Sequence, residues 1–393
     1  MKRLFAFIFL LSMAGCQSGG KKLQPDSLRE IDVSRQYPEI EIHLQNAATI
    51  EYVPLETTDD VLLSASAILS YVSDKYVVVW QRAQNDIFVF DRSGKIVSHF
   101  NHKGPSNTEY NAITSLVFDE KNGEIFVFDI APAHRALVYS ITGEYKRTLS
   151  YPEDLQITGY HFDDESLLVY DEKGLRQQAY SKTPYLLISK QDGSVVSTLD
   201  IQTPVRYSNM TVKEVEMADG RKAMSPLMIA TLNNRHFGQD YMIADFSSDT
   251  VYRLTPDRDL SPVIVRKPSV HASEPRKIWG IHLSTDHFIL LSVITLDFAA
   301  IERKQGIPNM DLIYDFKTGE TNEVTLINDD YPSKPLFLYN EVDIPQKNTV
   351  AAMMPVFDLK SAAEEKQLKG ELEQLVATLD DEDNPIVMIV KFK

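Results

Sequence analysis

The sequence predicts an all-β chain, a six-bladed β-propeller closed by its own two ends. Three observations carry this. A β-rich run, a tight turn and a second β-rich run recur five times, and a further strand precedes each of these hairpins. β-rich runs also remain at both ends with no hairpin of their own, and together they supply a sixth unit. Four strands in each period of about 40 to 60 residues is the pattern of a propeller blade.

The first hairpin is Asp86 to Asp91 (DIFVFD), the turn Arg92-Ser93-Gly94, then Lys95 to Phe100 (KIVSHF). The second runs from Ala136 to Ser140 through Ile141-Thr142-Gly143 to Glu144–Leu149. Pro184 to Lys190, Gln191-Asp192-Gly193 and Ser194 to Leu199 make the third. Asp249 to Leu254 turns at Pro256-Asp257 and returns through Ser261 to Val265. Asp311 to Phe316 turns at Lys317-Thr318-Gly319 and returns through Glu320 to Leu326. Aromatic and β-branched residues suit a pleated surface, and glycine supplies the positive φ of the turn. The turn glycines are spaced by 49 and 50 residues, then by 126, which is two longer periods with a glycine-less turn between them.

The strands expected ahead of the hairpins are Tyr76–Trp80, Glu124–Asp129, Ser166–Tyr170, Gln239–Phe246 and His287–Leu296, with earlier ones such as Ile113–Phe118. The sixth blade is expected from Pro335–Val342, Asn348–Pro355 and Pro385–Phe392, with Thr49–Leu55 from the other end as its outermost strand. Pairing the two ends in one blade closes the ring and protects its edges. One amphipathic helix, about 361–380, interrupts that blade. Leu368, Leu372, Leu375, Val376 and Leu379 form one apolar stripe, Ser361 and Glu364 a capping box, and Asn384-Pro385 a stop. Such a stripe is expected to pack over a mouth or rim of the ring.

Ahead of the ring lies a targeting segment. Lys2 and Arg3 form a basic start, and Leu4 to Leu11 (LFAFIFLL) an apolar run too short to span a bilayer. Met13-Ala14-Gly15-Cys16 follows, with small residues before the chain's single cysteine. This resembles the bacterial lipoprotein box, which implies a signal peptide over 1–15, lipidation of Cys16, and a tether and lead-in over 16–48 before the propeller at 49–393. With no second cysteine the fold can hold no internal disulfide. Anchoring to the outer membrane through two or three acyl chains is the expected location.

Three further segments carry a resemblance to the six-bladed β-propeller lipoproteins of Bacteroides-type bacteria, akin to NHL and TolB-like propellers. Ile50 to Asp60 (IEYVPLETTDD) resembles that group's opening strand, and Asp383 to Lys393 (DNPIVMIVKFK) its closing tail. Lys103 to Tyr110 (KGPSNTEY) sits where the group has a glycine- and proline-rich loop, and departs from it at Ser106-Asn107-Thr108. These are structural motifs, so the resemblance speaks to fold and place and leaves activity open.

A formal net charge of −16 repels phosphate backbones, and nucleic acid is excluded as a partner. No nucleophile elbow, P-loop, dinucleotide fingerprint or zinc-protease helix is present. His99 and His102 straddle a strand end and a loop and lack the one-face geometry of a metal pair. The acidic clusters Asp163-Asp164-Glu165, Asp329-Asp330 and Asp380 to Asp383 lack the alternating spacing that wraps a calcium ion. No cofactor and no metal centre is therefore expected. The candidate ligand-binding residues are His134 and Arg135, in a loop between adjacent strands, and Trp279 and Tyr331, near predicted strand ends, for stacking on a sugar ring or peptide side chain. Two functions stand. The first is a membrane-anchored binding or scaffold module for an envelope protein or a glycan or peptide ligand. The second is a metal-dependent lyase or hydrolase acting on sugar or peptide material at the mouth, with His236, His271, His282 and His287 converging from neighbouring blades.

Overall fold

Six sheets stand around a central channel in the computed structural model of the protein. It describes residues 28–393 except 130–133, 173–183, 202, 204, 208–209, 217–220, 229–234, 273, 298–307 and 337–341. Blade 1 consists of Ala67–Val72, Tyr76–Gln81, Asp86–Asp91 and Ile96–Phe100, from the channel outwards. Blade 2 is Ile113–Asp119, Glu124–Asp129, Arg135–Ser140 and Tyr145–Ser150; blade 3 is Ile157–His161, Ser166–Asp171, Tyr185–Ser189 and Val195–Thr198. Blade 4 runs through Arg235–Phe237, Asp240–Ala244, Thr250–Leu254 and Leu260–Lys267, and blade 5 through Lys277–Ser284, Phe288–Thr295, Asn309–Asp315 and Thr321–Ile327. Between blades 3 and 4 a separate hairpin, Met210–Glu216 with Lys222–Met228, is inserted. It accounts for the long double period in the glycine spacing.

The middle strands read as unbroken apolar runs because both of their faces are buried. In Tyr76–Gln81, Val77 and Val79 point towards Val387 and Ile389 of blade 6, while Val78 and Trp80 point towards Ile125 and Val127 of blade 2. The same alternation gives six apolar wedges, one between each pair of neighbouring blades. Each buried valine, leucine or isoleucine contributes about 1.5–3 kcal/mol. No blade can bury both faces without a neighbour on each side.

Closure is as the sequence predicts. Ala48–Pro54 pairs with Ile386–Phe392 from Phe392↔Ala48 to Ile386↔Pro54, and Thr349–Met354 lies on the other side. Of the inner strand expected over Pro335–Val342, residues 337–341 lie outside the described residues. The expected signal peptide and Cys16 lie outside them too. The opening and closing motifs meet at Asn384, which is buried. Its amide donates to the carbonyls of Glu56 and Val61, each at 2.7 Å, and its Oδ1 accepts from the Leu63 amide at 2.7 Å. Glu56 then carries the link to blade 1, accepting from the Ile96 amide at 2.7 Å.

The lead-in adds more than a connection. Arg29–Asp32 pairs in parallel with the outer strand of blade 4, and Glu39–His43 in parallel with that of blade 5. With Ala48–Pro54 these segments form a belt along three consecutive blades. Ile31 and Val33 reach from it into the wedge between blades 4 and 5.

Two short helices, Val356–Glu364 and Gly370–Val376, replace the single helix expected over about 361–380. The break between them holds Lys366 and Gly370 at φ near +58° and +59°. A Cβ on Gly370 would lie 2.3 Å from Asp330 Oδ1. Ser361 is therefore inside a helix, where its hydroxyl donates to the Phe357 carbonyl, and Pro355 occupies the N-cap. Val356, Leu359, Leu368, Leu372 and Val376 fill the wedge between blades 5 and 6. The stripe is core, as expected, but it lies between blades.

The turn glycines of blades 1, 2 and 3 dock each of those blades on the one before it. A Cβ on Gly94 would sit 2.0 Å from the Pro54 carbonyl oxygen, one on Gly143 2.7 Å from the Phe100 ring, and one on Gly193 2.8 Å from the Ser150 carbonyl oxygen. Gly123 also has positive φ but nothing within 4 Å of that position. Gly123→Ala should therefore cost only the left-handed backbone, about 1–2 kcal/mol. Gly94→Ala should cost about 1–3 kcal/mol more, from the clash. Asn384→Ala orphans buried backbone groups and should cost roughly 2–4 kcal/mol. Urea unfolding of the three variants measures all of these, and equal losses at Gly94 and Gly123 would refute the docking account.

Candidate functional site

The first strands of blades 1 to 5 run the same way along the channel, so residues at their C-terminal ends gather at one end of it. The run Ile113–Asp119 ends on Asp119, and Ile157–His161 ends on His161. Lys190, just after the third strand of blade 3, reaches in beside them. Its Nζ donates to Asp119 Oδ2 at 2.7 Å and to His161 Nε2 at 3.2 Å. An ammonium has only protons to give, so His161 accepts on Nε2 and carries its own proton on Nδ1. Lys190 and Asp119 are 2% and 1% exposed.

From blade 4, His236 places its ring 5.9 Å from that of His161 and packs edge-on against Tyr241. His236 Nε2 lies 3.6 Å from Asp343 Oδ1. Asp343 belongs to the segment that precedes Thr349–Met354 of blade 6 and pairs in parallel with Tyr71 of blade 1. Blades 4 and 6 are not neighbours, so this contact crosses the channel. Gly238 and Lys347 touch across it as well, since a Cβ on Gly238 would meet Lys347 Cε at 2.4 Å. On the blade 1 side, Tyr71 and Ser73 donate to Glu120 Oε2, the former at 3.1 Å, and Lys75 lies 3.2 Å from Glu120 Oε1. Polar side chains from five blades thus form a floor across the channel.

The electrostatics fit a floor that is satisfied from within. Burial alone would raise the Asp119 carboxyl, but the side chains around it, with Lys190 and Asn122 donating to Oδ2, overcome burial and hold the group far below the usual carboxylate range. Burial holds His236 below its ordinary value, against the pull of Asp343. Burial and the nearby Asp343 and Glu120 carboxylates keep the Tyr71 phenol protonated well past its usual range. At neutral pH the floor therefore holds an ionised Asp119 carboxylate and a neutral His236 imidazole.

A second buried group lies between blades 3 and 4. Burial raises the Asp245 carboxyl above its ordinary value; its Oδ1 accepts from the Ser247 amide at 2.7 Å and its Oδ2 from the Tyr185 hydroxyl at 3.3 Å. Arg206 stacks 4.9 Å over Tyr170 beside it.

The four residues expected to bind a ligand are not brought together. Arg135 pairs with Asp129 at 2.7 Å and donates to the carbonyls of Asn107 and Glu109, so it holds the 103–110 loop in place. His134, at φ near +74°, engages the Leu155 carbonyl through Nδ1 at 2.9 Å. Trp279 is 2% exposed in the wedge between blades 4 and 5, under Arg266, so its ring faces protein on both sides. Tyr331 is buried against the two C-terminal helices. The histidines His236, His271 and His282 each have separate partners: His161 and Tyr241, Tyr207, and Ser292. Among the described residues no group of three His, Cys, Asp or Glu side chains is placed to hold a metal ion. The floor residues Asp119, His161, Lys190 and Asp343 escaped sequence reasoning. A signal existed for two of them: Asp119 and His161 each close a first strand, one blade apart.

Comparison with known proteins gives a family and a fold. The family described as "Domain of unknown function (DUF4934)" matches residues 28–391. No curated protein matches the chain. Among solved structures, an exported protein from Bacteroides fragilis NCTC 9343 is 15% identical, with 90% of this chain and 99% of that one covered at a TM-score of 0.61. A member of the DUF4221 family from Bacteroides vulgatus is 9% identical over 88% of this chain and 97% of its own, with a TM-score of 0.46. The first of these shares the fold.

Because the folded pKa of His236 lies below its unfolded value, its contribution to stability is full above about pH 6.5 and is lost as the pH falls through the folded value. Tm should therefore hold steady from pH 8 to 7 and drop towards pH 5. His236→Gln should flatten that drop. An unchanged slope in thermal melts of the variant would show that His236 does not sense the acid.

Proposed function

The chain belongs to the DUF4934 family, and on that premise we propose that it is a lipid-anchored binding module of the bacterial cell envelope. Acyl chains on Cys16 hold the ring at the outer membrane, on the extracytoplasmic side. The ring presents its open channel mouth and its rim to an envelope protein or to a glycan or peptide ligand. The observation that carries this reading is the belt. The segment that leads in from the anchor is not a loose leash at its far end: it is hydrogen-bonded along blades 4, 5 and 6. Tension on such a tether is borne by three ladders in succession, and the ring is displayed as a rigid body. The channel floor supports the same reading, since its charged groups are spent on one another across blades and stiffen the ring. A rigid scaffold presenting loops suits recognition.

The test compares the native chain with Cys16→Ser. The native protein should partition into the detergent phase and bring a reproducible envelope partner from native membranes. The variant should stay in the aqueous phase and lose that partner. Equal partitioning of the two would rule out the anchor, and an anchored protein that brings no partner or ligand would rule out the binding module.

A further inference from the structure

Residues 120–123 join the first two strands of blade 2, Ile113–Asp119 and Glu124–Asp129. This turn contains Asn122-Gly123, the sole asparagine–glycine pair in the chain. The backbone nitrogen that follows an asparagine can close a five-membered ring on the side-chain carbonyl carbon. A side chain on the following residue crowds that approach, and glycine has none. Three features leave this pair open to the closure. Asn122 is exposed. Gly123 sits at φ +60° with nothing within 4 Å of the place a Cβ would occupy. Its amide is held by a long hydrogen bond, 3.3 Å to the Glu120 carbonyl. Asp192-Gly193, in the outer hairpin of blade 3, is the opposite case. There Gly193 packs on Ser150, and Asp192 Oδ1 accepts from the amide and hydroxyl of Ser194 at 3.0 and 2.7 Å.

The same asparagine side chain belongs to the channel floor. Asn122 Nδ2 donates to Asp119 Oδ2 at 2.9 Å, the oxygen that also takes Lys190 Nζ at 2.7 Å. We propose that Asn122 is a self-modification site, converted to aspartate or isoaspartate by spontaneous deamidation through Gly123, and that the product loosens the floor at Asp119. The Gly123 nitrogen gives its proton to hydroxide and attacks Asn122 Cγ. The new N–Cγ bond closes a succinimide as the Cγ–Nδ2 bond breaks, and Nδ2 leaves as ammonia with a proton taken from water. A water molecule then opens the ring. Attack at one carbonyl gives aspartate; attack at the other gives isoaspartate, whose backbone runs through the former side chain. Water is the only co-reactant consumed. The product carries a carboxylate where Asn122 had a donor, so Asp119 loses a hydrogen bond and gains a like charge beside it. Isoaspartate also lengthens the turn by one methylene. That displaces Gly123, whose carbonyl accepts from the Ile141 amide at 3.0 Å and so ties this turn to the 141–143 turn docked on Phe100.

This inference concerns the ring alone and does not rest on the binding-module reading. The test incubates the mature chain in warm, mildly alkaline buffer and follows intact mass, peptide maps and labelling by an isoaspartate methyltransferase. The mass should rise by the difference between an amide and an acid, and the modified peptide should be the one that holds Asn122. The rate should climb with pH, and Gly123→Ala should slow it several-fold. The consequence for the floor is read from two variants at an exposed position, whose circular dichroism should match that of the native protein. At neutral pH, Asn122→Asp should melt about 1–3 °C below Asn122→Ala, because both remove the donor and only the first adds a charge against Asp119. The gap should close in acid, where the added carboxylate is protonated. A constant mass, deamidation that begins at another asparagine, or a rate indifferent to Gly123→Ala would each overturn the site. Equal melting of Asn122→Asp and Asn122→Ala at neutral pH, or a gap that persists in acid, would overturn the link to Asp119.

Discussion

Everything in this ring depends on closure. A propeller blade is an antiparallel sheet with two apolar faces, and each face needs a neighbouring blade to cover it. An open row of blades would leave two such faces in water. The pairing of Ala48–Pro54 with Ile386–Phe392 removes both at once, and it joins residues more than 330 positions apart in sequence. Its entropic cost is that of closing a very long loop, which grows only slowly with length. Six wedges of buried aliphatic and aromatic side chains stand against it. Asn384 is where the two ends are fastened, since one side chain satisfies backbone groups in the opening segment at three points.

The rest of the architecture elaborates this closure. The belt extends the N-terminal strand of blade 6 back along blades 5 and 4, so closure is distributed over half the rim. The turn glycines give three blades a foothold on the blade before: Gly94 on Pro54, Gly143 on Phe100 and Gly193 on Ser150. Inside, the floor residues tie blades that do not touch through their sheets. His236 and Asp343 span the channel, and Lys190 fills a place between two blades that apolar packing leaves polar. Burying Lys190 and Asp119 is tolerable only because each satisfies the other; an unpaired buried charge would be costly.

The recurring strand–turn–strand pattern was legible because it is local. Alternating burial, glycine turns and β-branched runs are written within ten residues of one another. The strands Asp86–Asp91 and Glu124–Asp129 fall where the pattern puts them. The belt strands Arg29–Asp32 and Glu39–His43 were not legible. They are short and polar, and their partners lie more than 200 residues away. The helix break at Lys366–Gly370 was hidden for a similar reason. A continuous apolar stripe reads as one helix, and what interrupts it is the close approach of Asp330 to Gly370.

The sequence by itself determined the fold class, the blade count, the joining of both ends in one blade, and the two motifs that meet there. It did so because periodicity and turn chemistry are properties of neighbouring residues. Tertiary structure alone decided which polar residues share a site. Trp279 and Tyr331 resembled binding platforms in sequence, but a side chain's exposure depends on the blade packed against it, and both are covered. Asp119, His161, Lys190, His236 and Asp343 come from four blades and meet only because the strands and connecting segments that carry them face one channel. That coincidence is a property of the ring, and no stretch of chain carries it.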